Sequence, residues 1–386
     1  MTDVSRCYSI EDLRQAAQAN LPRVTLDYLE GGAEDEWTLN RNVRSFDSYQ
    51  FVPRVLQDVE NVTLATQIQG ADSSMPLVCA PTGMSRMFHY EGELAVARSC
   101  EKFGIPYSLS TVATRSIEEV AQTISSPKFF QIYIWHNQEI IQDFIKRCQN
   151  AGYTGLMLAV DLAAFGNRER DLRNGHGRPT ELRIKTALSA LRTPKWLFNF
   201  LTKDKWKMAN MTEHLPFGGD ALKCMDTVNE QFNASVTWED AKKIQDQWQG
   251  AFLLKGIQCV EDAKRAVELG ATGIILSNHG GRQLDGAPSA FELLPKVREA
   301  VGGSIEIYID GGIRRGSDVI KAIALGATAC LIGRPYLYGL AAGGEEGVCR
   351  SLEILQQEMV RVMKLIGCSD IKELNESYVE KVEALV

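Results

Sequence analysis

The sequence predicts an α/β protein built on a (β/α)8 barrel of the TIM type, with an N-terminal helical segment and a long excursion after strand four. Eight short apolar runs recur along the chain, and segments with the apolar spacing of helices lie between most of them. The runs lead into polar or glycine residues, as barrel strands do at the face that carries function. An open, doubly wound sheet is the competing topology.

The apolar runs lack polar alternation, so they suit parallel strands covered on both faces. Helical periodicity comes first, from IEDLRQAAQANL through VTLDYLEGG. Four later helices are clear, and the last three end at a glycine-containing stop: GELAVARSCEKFG, QEIIQDFIKRCQNAG, VEDAKRAVELGA and GSDVIKAIALGA. The predicted strands are PLVCAP (76–81), IPYSLS (105–110), FFQIY (129–133), GLMLAVD (155–161), AFLLKG (251–256), TGIILS (272–277), IEIYID (305–310) and TACLIG (328–333).

We expect a single domain over 1–386, with the barrel over about 75–350. Between Asp161 and Ala251 lie about ninety residues, where one βα unit needs about thirty. An excursion over about 165–245 therefore leaves the barrel after strand four. It is a lid, a contact surface or a membrane-facing element.

Composition excludes several classes of protein. A hydrophobic share of 45%, a charged share of 24% and a net charge of −7 describe a globular protein, not a disordered chain or a nucleic-acid binder. Nine cysteines without a CxxC pair predict buried thiols in a reducing compartment. The N-terminus lacks the features of a signal peptide, so we expect a cytoplasmic location, in solution or on the cytoplasmic face of the inner membrane.

Chemically active side chains collect where the predicted strands end. Two glycines and two arginines follow strand seven in IDGGIRRGSDVIKA, and a Gly-Arg pair follows strand eight in LIGRP. One such glycine pair more often marks a tight turn, but two consecutive strand ends of this kind predict a phosphate site. The other ends carry Pro81-Thr82-Gly83, Ser110, Gln131 with Tyr133, Asp161, Lys255, and Ser277 with His279 and Arg282.

His279 lies in the glycine-rich stretch SNHGGRQLDG. A lone histidine in such a turn is more often satisfied by neighbouring backbone than catalytic. Here Arg282 follows three residues later and Asp161 lies at another strand end, which favours a general base beside an anion site.

Together these motifs resemble the FMN-dependent α-hydroxy acid dehydrogenase and oxidase family, with bacterial (S)-mandelate and L-lactate dehydrogenases nearest in pattern. The resemblance covers nearly the whole chain and keeps the family's order. Its motifs are DYLEGGAEDE (27–36), APTGM (80–84), FFQIY, GNRERDL (166–172), LLKG, SNHGGRQLDG, IDGGIRRGSDVIKAIALGA and LIGRPYLYGLA.

The resemblance implies how a substrate is held. Tyr28 binds its carboxylate together with Arg168 and Arg282, a task suited to guanidinium because it pairs with both oxygens. Tyr133 lies near the substrate hydroxyl, and His279 is the base.

The resemblance also implies catalytic support and the cofactor, FMN, with no metal. Asp161 is the partner carboxylate of the base, and Lys255 lies beside the flavin ring. Ala159 stands where many members have threonine, so one hydrogen bond to the flavin is missing, a loss of about 1 kcal/mol. The implied FMN-binding residues are Pro81, Thr82, Gly83, Ser110, Gln131, Lys255, Ser277, Asp310, Gly311, Gly312, Ile313, Arg314, Gly333 and Arg334.

The implied reaction is oxidation of an L-2-hydroxy acid, of the lactate or mandelate type, to the 2-oxo acid. Gly83 favours a dehydrogenase that passes electrons to a membrane quinone or another non-oxygen acceptor, because the family's oxidases usually have alanine there. A soluble oxidase that makes hydrogen peroxide and a lactate monooxygenase remain alternatives. From other classes, a phosphate-binding isomerase or a non-catalytic barrel would share the glycine-rich ends. Hydride and carbanion mechanisms stay open, as does the acid, although Val112 leaves room where glycolate oxidases often have tryptophan.

Basic and aromatic residues interleave in the excursion, which suits a segment lying on anionic lipid. The family's membrane-bound members carry their membrane segment in this interval, so the resemblance implies peripheral membrane contact through 181–215. A solvated lid is the other interpretation, and a homotetramer is the oligomer common in the family. The residues are Arg183, Lys185, Arg192, Lys195, Lys203, Lys205 and Lys207 with Trp196, Leu197, Phe198, Phe200, Leu201 and Trp206.

Overall fold

The computed structural model describes residues 3–175 and 179–382. Its centre is a closed barrel of eight parallel strands, which confirms the predicted fold class. Each predicted strand is present, although most are shorter than predicted. The strands are β1 Leu77–Cys79, β2 Tyr107–Ser110, β3 Lys128–Ile132, β4 Gly155–Ala159, β5 Ala251–Ile257, β6 Gly273–Leu276, β7 Glu306–Asp310 and β8 Ala329–Ile332.

The strands follow one another round the barrel in chain order. β8 pairs with β1 to close the ring, with Cys330 opposite Leu77 and Ile332 opposite Cys79. All carboxyl ends therefore meet at one face, which brings together the polar residues that follow each strand.

Helices surround this barrel and confirm the four that periodicity made clear. Within the described residues the α-helices are α1 Ile10–Asn20, α2 Arg23–Glu30, α3 Trp37–Arg44, α4 Glu93–Lys102, α5 Ile117–Thr123, α6 Gln138–Asn150, α7 Glu169–Arg173, α8 Pro179–Ala190, α9 Pro194–Thr202, α10 Ala221–Glu230, α11 Trp238–Gln247, α12 Val260–Leu269, α13 Ala290–Val301, α14 Gly316–Ala324, α15 Arg334–Gly343 and α16 Glu345–Ile366.

The excursion holds α7 to α10, and α11 is the barrel helix that precedes β5. α11 starts in a capping box at Thr237 and buries Ala241 and Ile244, which is the ordinary amphipathic pattern of a barrel helix. The inserted part thus ends a few residues before the predicted boundary of about 245.

The amino end of the barrel is plugged by a short hairpin of strands Thr66–Ile68 and Ala71–Ser73. Ile68 joins the apolar cluster inside the barrel, together with residues such as Phe129 and Tyr308. Gln69 donates to Glu306 at 2.8 Å, which fixes the hairpin to β7. This end is therefore closed, and the opposite end is left for a ligand.

Most of the cysteine side chains are buried, as the sequence predicted. Seven of the nine are buried, and Cys259 and Cys349 are half-buried. Among the described residues no group of histidine, cysteine and acidic side chains could hold a metal ion.

Candidate active site

A cavity of about 620 Å³ opens at the carboxyl ends of the strands. This volume falls within the range of about 300–1,000 Å³ typical of cofactor and ligand sites. Every predicted site residue lines it except Asp161 and Ser277, whose buried side chains support residues of the wall. The strand-end positions of the sequence therefore converge on one space.

Asp161 and His279 form a hydrogen-bonded pair. β4 ends at Ala159, so Asp161 belongs to the loop after the strand, where its fully buried side chain turns toward His279. Its oxygens lie 3.2 and 3.1 Å from Nδ1 of His279. Because a carboxylate only accepts hydrogen bonds, Nδ1 carries the proton and Nε2 is the basic nitrogen.

The environment keeps Asp161 ionised. Burial acts to raise its pKa, but His279 and Lys255 oppose this effect and leave the pKa below its ordinary value. An ionised Asp161 stabilises a protonated His279, so the pair is suited to a base that holds a proton during a reaction.

Gly256 makes room for Asp161. It lies at a β-bulge of β5 with a φ of 112°. A Cβ at this position would lie 2.7 Å from Cβ and Cγ of Asp161, so only glycine permits both the backbone and the contact.

The turn that carries His279 is held in a left-handed conformation. The φ angles of His279, Gly280 and Gly281 are 59°, 64° and 76°. A non-glycine residue in this region costs about 1–2 kcal/mol, so other contacts must hold His279 in place. Ser277 Oγ accepts from the His279 N–H at 3.0 Å, and Asn278 Oδ1 accepts from the Gly281 N–H at 3.0 Å.

Arg334, the first residue of α15, binds the same turn. Its guanidinium donates to the carbonyl oxygens of Gly280, Leu29 and Gly31, each at 2.9 Å. Burial and then Arg282 lower the pKa of Arg334 to about 9. In the structure the Arg334 guanidinium joins the His279 turn to the end of α2, and Arg334 also lines the cavity, so its role as an FMN ligand stays a prediction.

Arg168 and Arg282 lie side by side on the cavity wall. Arg168 donates through Nε to the carbonyl of Arg282 at 3.1 Å and through Nη2 to Gln283 Oε1 at 3.0 Å. Burial and then the charge of Arg282 lower the pKa of Arg168 to about 10. Because the two positively charged guanidinium groups repel each other, they form a strong binding site for an anion.

Backbone carbonyls orient Arg282. Its Nη1 donates to the carbonyls of Tyr28 and Gly31 at 2.8 and 2.9 Å, and its Nη2 lies 3.7 Å from Asp171. The guanidinium carbon lies 4.9 Å from the Tyr28 ring centroid. Tyr28 and Arg282 therefore pack against each other and line the cavity together.

Lys255 presents a buried positive charge at the end of β5. Its Nζ lies 2.7 Å from Asp310 Oδ2 and donates to Ser277 Oγ at 2.9 Å. Burial acts to lower the pKa of Lys255, but Asp310 and Asp161 raise it above its ordinary value. The lysine therefore stays protonated beside the cavity.

The chemistry of the wall fits FMN. Gln131 Nε2 and Asp310 Oδ1 are buried and have no hydrogen-bond partner in the part of the chain that the structure describes. Both residues line the cavity, so both have capacity for a polar ligand such as the ring edge or the ribityl chain. The protonated Lys255 would give the ring a fixed positive charge.

One end of the cavity fits a phosphate. Gly333 caps the ten-residue helix α15, and only Thr82 lies within 4 Å of a Cβ placed on it. A helix N-terminus with open backbone and Arg314 on the same wall favours an anion. Gly312 has a different reason to be glycine, because a Cβ there would lie 1.9 Å from the Asn42 carbonyl in α3.

The excursion supplies an apolar wall that the sequence did not predict. Phe165, Met208 and Phe232 line the cavity. The Phe232 ring stands edge-on to that of Tyr133, with centroids 5.0 Å apart. Burial raises the pKa of Tyr133, so the phenol keeps its proton and can donate to a substrate oxygen.

The sequence did not predict three residues that hold the site residues in position: Asn42, Asn278 and Gln283. Asn278 and Asn42 exchange two buried amide hydrogen bonds of 2.7 and 2.8 Å, which fix the His279 turn against α3. Gln283 bonds Arg168 and also donates to the carbonyl of Ala164 at 2.8 Å. Asn278 and Gln283 lie in SNHGGRQLDG, and their closeness to His279 in the sequence was the only signal that could have identified them.

Comparisons with known proteins agree with this geometry. The family model described as FMN-dependent dehydrogenase matches residues 17–381. (S)-Mandelate dehydrogenase from Pseudomonas putida is 40% identical over 97% of this chain and 94% of its own, and L-lactate dehydrogenase from Vibrio parahaemolyticus is 38% identical over 96% and 98%. A solved structure of the monotopic membrane protein (S)-mandelate dehydrogenase matches with a TM-score of 0.93 at 39% identity, covering 98% of this chain and all of that one.

Proposed function

Because this chain belongs to the FMN-dependent dehydrogenase family, we propose that it oxidises an L-2-hydroxy acid of the lactate or mandelate type to the 2-oxo acid. In this proposal the electrons pass to a membrane quinone or another acceptor that is not oxygen. The observation that carries the proposal is the hydrogen-bonded pair of His279 and Asp161 on the same cavity as Arg168 and Arg282. A base and a double guanidinium site match the hydroxyl and the carboxylate of such an acid.

Each side chain has a defined task. Arg168 and Arg282 hold the carboxylate and orient the α-carbon. His279 Nε2 takes the hydroxyl proton, and Asp161 stabilises the resulting imidazolium. Tyr133 donates to the substrate oxygen. FMN, when bound, supplies the two-electron acceptor, so the acid loses two electrons and two protons in all.

A panel of 2-hydroxy acids tests this function. Purified holoenzyme is mixed anaerobically with L-lactate, (S)-mandelate, glycolate and their D or R enantiomers, and the loss of flavin absorbance is followed. We expect bleaching by the L or S acids of lactate or mandelate type. If none of the acids bleaches the flavin, the proposed function is wrong.

The acceptor is tested separately. Turnover with a bleaching acid is measured with oxygen alone and with a quinone analogue under nitrogen. We expect rapid quinone reduction and slow formation of hydrogen peroxide. Fast peroxide formation would instead establish the oxidase alternative.

We also propose peripheral contact with the cytoplasmic face of the inner membrane through 181–215. α8, α9 and the turn between them expose Ile184, Leu188, Leu191, Phe198 and Leu201, each between 57% and 70% accessible. Arg192 and Lys195 are exposed in the same stretch of chain, and this mixture of basic and apolar residues suits an anionic interface. The side chain of Arg183, also in the basic series, lies outside the described residues. No helix in 3–175 or 179–382 is long and apolar enough to cross a membrane.

Point substitutions test the membrane contact with little risk to the active-site wall. Leu188, Leu191, Phe198 and Leu201 are changed together to asparagine, and Leu365→Asn on α16, which is 69% exposed, is the control. We expect the fourfold variant to stop sedimenting with vesicles containing phosphatidylglycerol while the control still binds. Equal sedimentation of both would contradict the proposal.

The homotetramer stays a prediction drawn from the resemblance. Sedimentation velocity of the detergent-solubilised holoenzyme measures the mass directly, and a mass of four chains is the expected result.

A further inference from the structure

A second cavity, of about 140 Å³, lies between the excursion and the barrel. Its walls come from the loop after β1, the ends of α1 and α15, and α9 with the segment that follows it. None of the residues assigned above to the hydroxy acid or to FMN lines it. We refer to it as the outer cavity.

The outer cavity has aromatic walls. Trp196 and Phe200 stack with centroids 5.2 Å apart and an angle of 8°. Trp206 stands edge-on to both rings, at 5.8 and 5.0 Å. Such walls accommodate a planar ring by offset stacking or edge contact.

The charged side chains that line it are all basic: Arg86, Arg192, Lys195 and Lys203. Asn199 and Lys203 line the space, and no acidic residue does among those described. Lys203 Nζ lies 4.8 Å from the centroid of Tyr90. His89 also lines it, and Nδ1 of His89 is buried without a hydrogen-bond partner in the described chain. The cavity therefore suits a ligand whose polar atoms are acceptors.

The outer cavity lies close to the active-site cavity. Phe88 lines both the outer cavity and the cavity of the active site. On its other side the outer cavity borders α9, whose outer face exposes Phe198 and Leu201. A ring in this small space would contact α9 and would also lie near Phe88, the residue shared with the redox site, and an apolar tail would leave toward the proposed membrane surface.

We propose that the outer cavity binds the ring of the quinone that receives the electrons. The ring would lie against Trp196, Phe200 and Trp206, with its carbonyl oxygens toward Asn199 and Lys203. The acid releases two electrons and two protons on becoming a 2-oxo acid. The quinone takes up two electrons, through FMN, and two protons from solvent and becomes the hydroquinone.

This inference rests on the proposed quinone acceptor, but its test does not depend on the acid. Quenching of tryptophan fluorescence by oxidised decylubiquinone measures binding to the oxidised holoenzyme. The variants are Lys203→Ala and Phe200→Ala. The control is Lys205→Ala, because the Lys205 side chain does not line the outer cavity. We expect saturable quenching whose Kd rises at least tenfold in both variants and stays unchanged in the control.

A second measurement follows electron transfer. The enzyme is reduced photochemically, which bypasses the hydroxy acid, and is mixed with limiting decylubiquinone or with ferricyanide. We expect the variants to slow reoxidation by the quinone at least tenfold and to leave reoxidation by ferricyanide unchanged. An intact FMN absorption spectrum confirms folding, and the exposed Lys203 provides a variant with little structural risk.

Three results would overturn the inference. One is an unchanged quinone Kd in both variants. Another is competition between decylubiquinone and the hydroxy acid for the larger cavity. The third is that Lys203→Ala and Phe200→Ala weaken binding to vesicles but leave the quinone affinity unchanged. This result would make the outer cavity a lipid headgroup site. Failure of every 2-hydroxy acid to bleach the flavin would instead contradict the proposed function and leave these quinone measurements interpretable.

Discussion

The guanidinium of Arg334 donates a 2.9 Å hydrogen bond to the carbonyl oxygen of Gly280, the residue after the proposed base His279. Two further bonds, to Leu29 and Gly31, join the start of α15 to the end of α2 through the same side chain. A residue at the end of the barrel thus positions a left-handed turn that carries the chemistry.

Arg334→Lys should disturb catalysis more than cofactor binding. Lysine keeps the charge but lacks the planar fork that reaches three carbonyls at once. We expect the rate constant for flavin bleaching by the acid to fall at least tenfold while the FMN Kd changes less than threefold. Stopped-flow absorbance and FMN fluorescence titration of the apoprotein give the two values.

Arg314→Met should show the reverse pattern, because Arg314 lines the cavity and is the arginine that we propose holds the FMN phosphate. The FMN Kd should rise at least tenfold, and the bleaching rate of the fully loaded enzyme should change little. If both variants changed both quantities equally, the separate roles of Arg334 and Arg314 would be wrong.

Asp161→Asn should impair the base without removing the side chain that packs on Gly256. An amide can donate to Nδ1 and so favour the tautomer in which Nε2 carries the proton. We expect the bleaching rate to fall on the order of 100- to 10,000-fold, as for a comparable loss of an orienting carboxylate. A bleaching rate within threefold of wild type would show that Asp161 does not orient His279.

Gly83→Ala should strain the cavity wall because of one specific contact. A Cβ at Gly83 would lie 2.6 Å from Cγ2 of Val112. Overpacking of this kind costs about 1–3 kcal/mol. We expect the free energy of unfolding, measured in urea, to fall by about that amount. Adding Val112→Ala removes the clashing methyl group, so the double variant should be more stable than the sum of the single effects predicts.

His89 should make the protein sensitive to acid. Burial, with a smaller effect of Lys195, lowers the pKa of His89 to about 4, although Glu91 lies 3.6 Å from Nδ1. The unfolded chain has the ordinary value of about 6.5, so it binds more protons between these two pH values. The stability due to neutral His89 is present above pH 6.5 and is lost as the pH falls toward 4.

The measurement is the free energy of unfolding at pH 7 and pH 5. We expect His89→Gln to reduce the loss between these pH values by about 1–2 kcal/mol relative to wild type. His136→Gln, at an exposed position, is the control. The same pH dependence in wild type and His89→Gln would show that His89 does not carry it.

The barrel was predictable because eight short, mostly apolar runs recur along the chain and are buried most easily as parallel strands covered on both faces. Convergence of the strand ends followed from the topology. Thus Asp161 and His279, 118 residues apart in the chain, could be paired from the sequence alone.

Other features depend on contacts that no local pattern shows. The glycine at 312 follows from the close approach of Asn42, and the partners of Arg334 come from two segments that are about 250 residues apart in the chain. The excursion mixes basic and aromatic residues, so its sequence indicated a surface but not that Phe232 would pack against Tyr133. Such contacts are decided by how distant segments fold together.

The central claim is that His279 is the base that allows a 2-hydroxy acid to reduce the flavin. The most direct test is anaerobic stopped-flow mixing of the His279→Gln holoenzyme with the acid that bleaches wild type fastest. We predict that the variant binds FMN with a normal spectrum and that bleaching is abolished or slowed at least 1,000-fold. Bleaching at a rate near that of wild type would contradict the account.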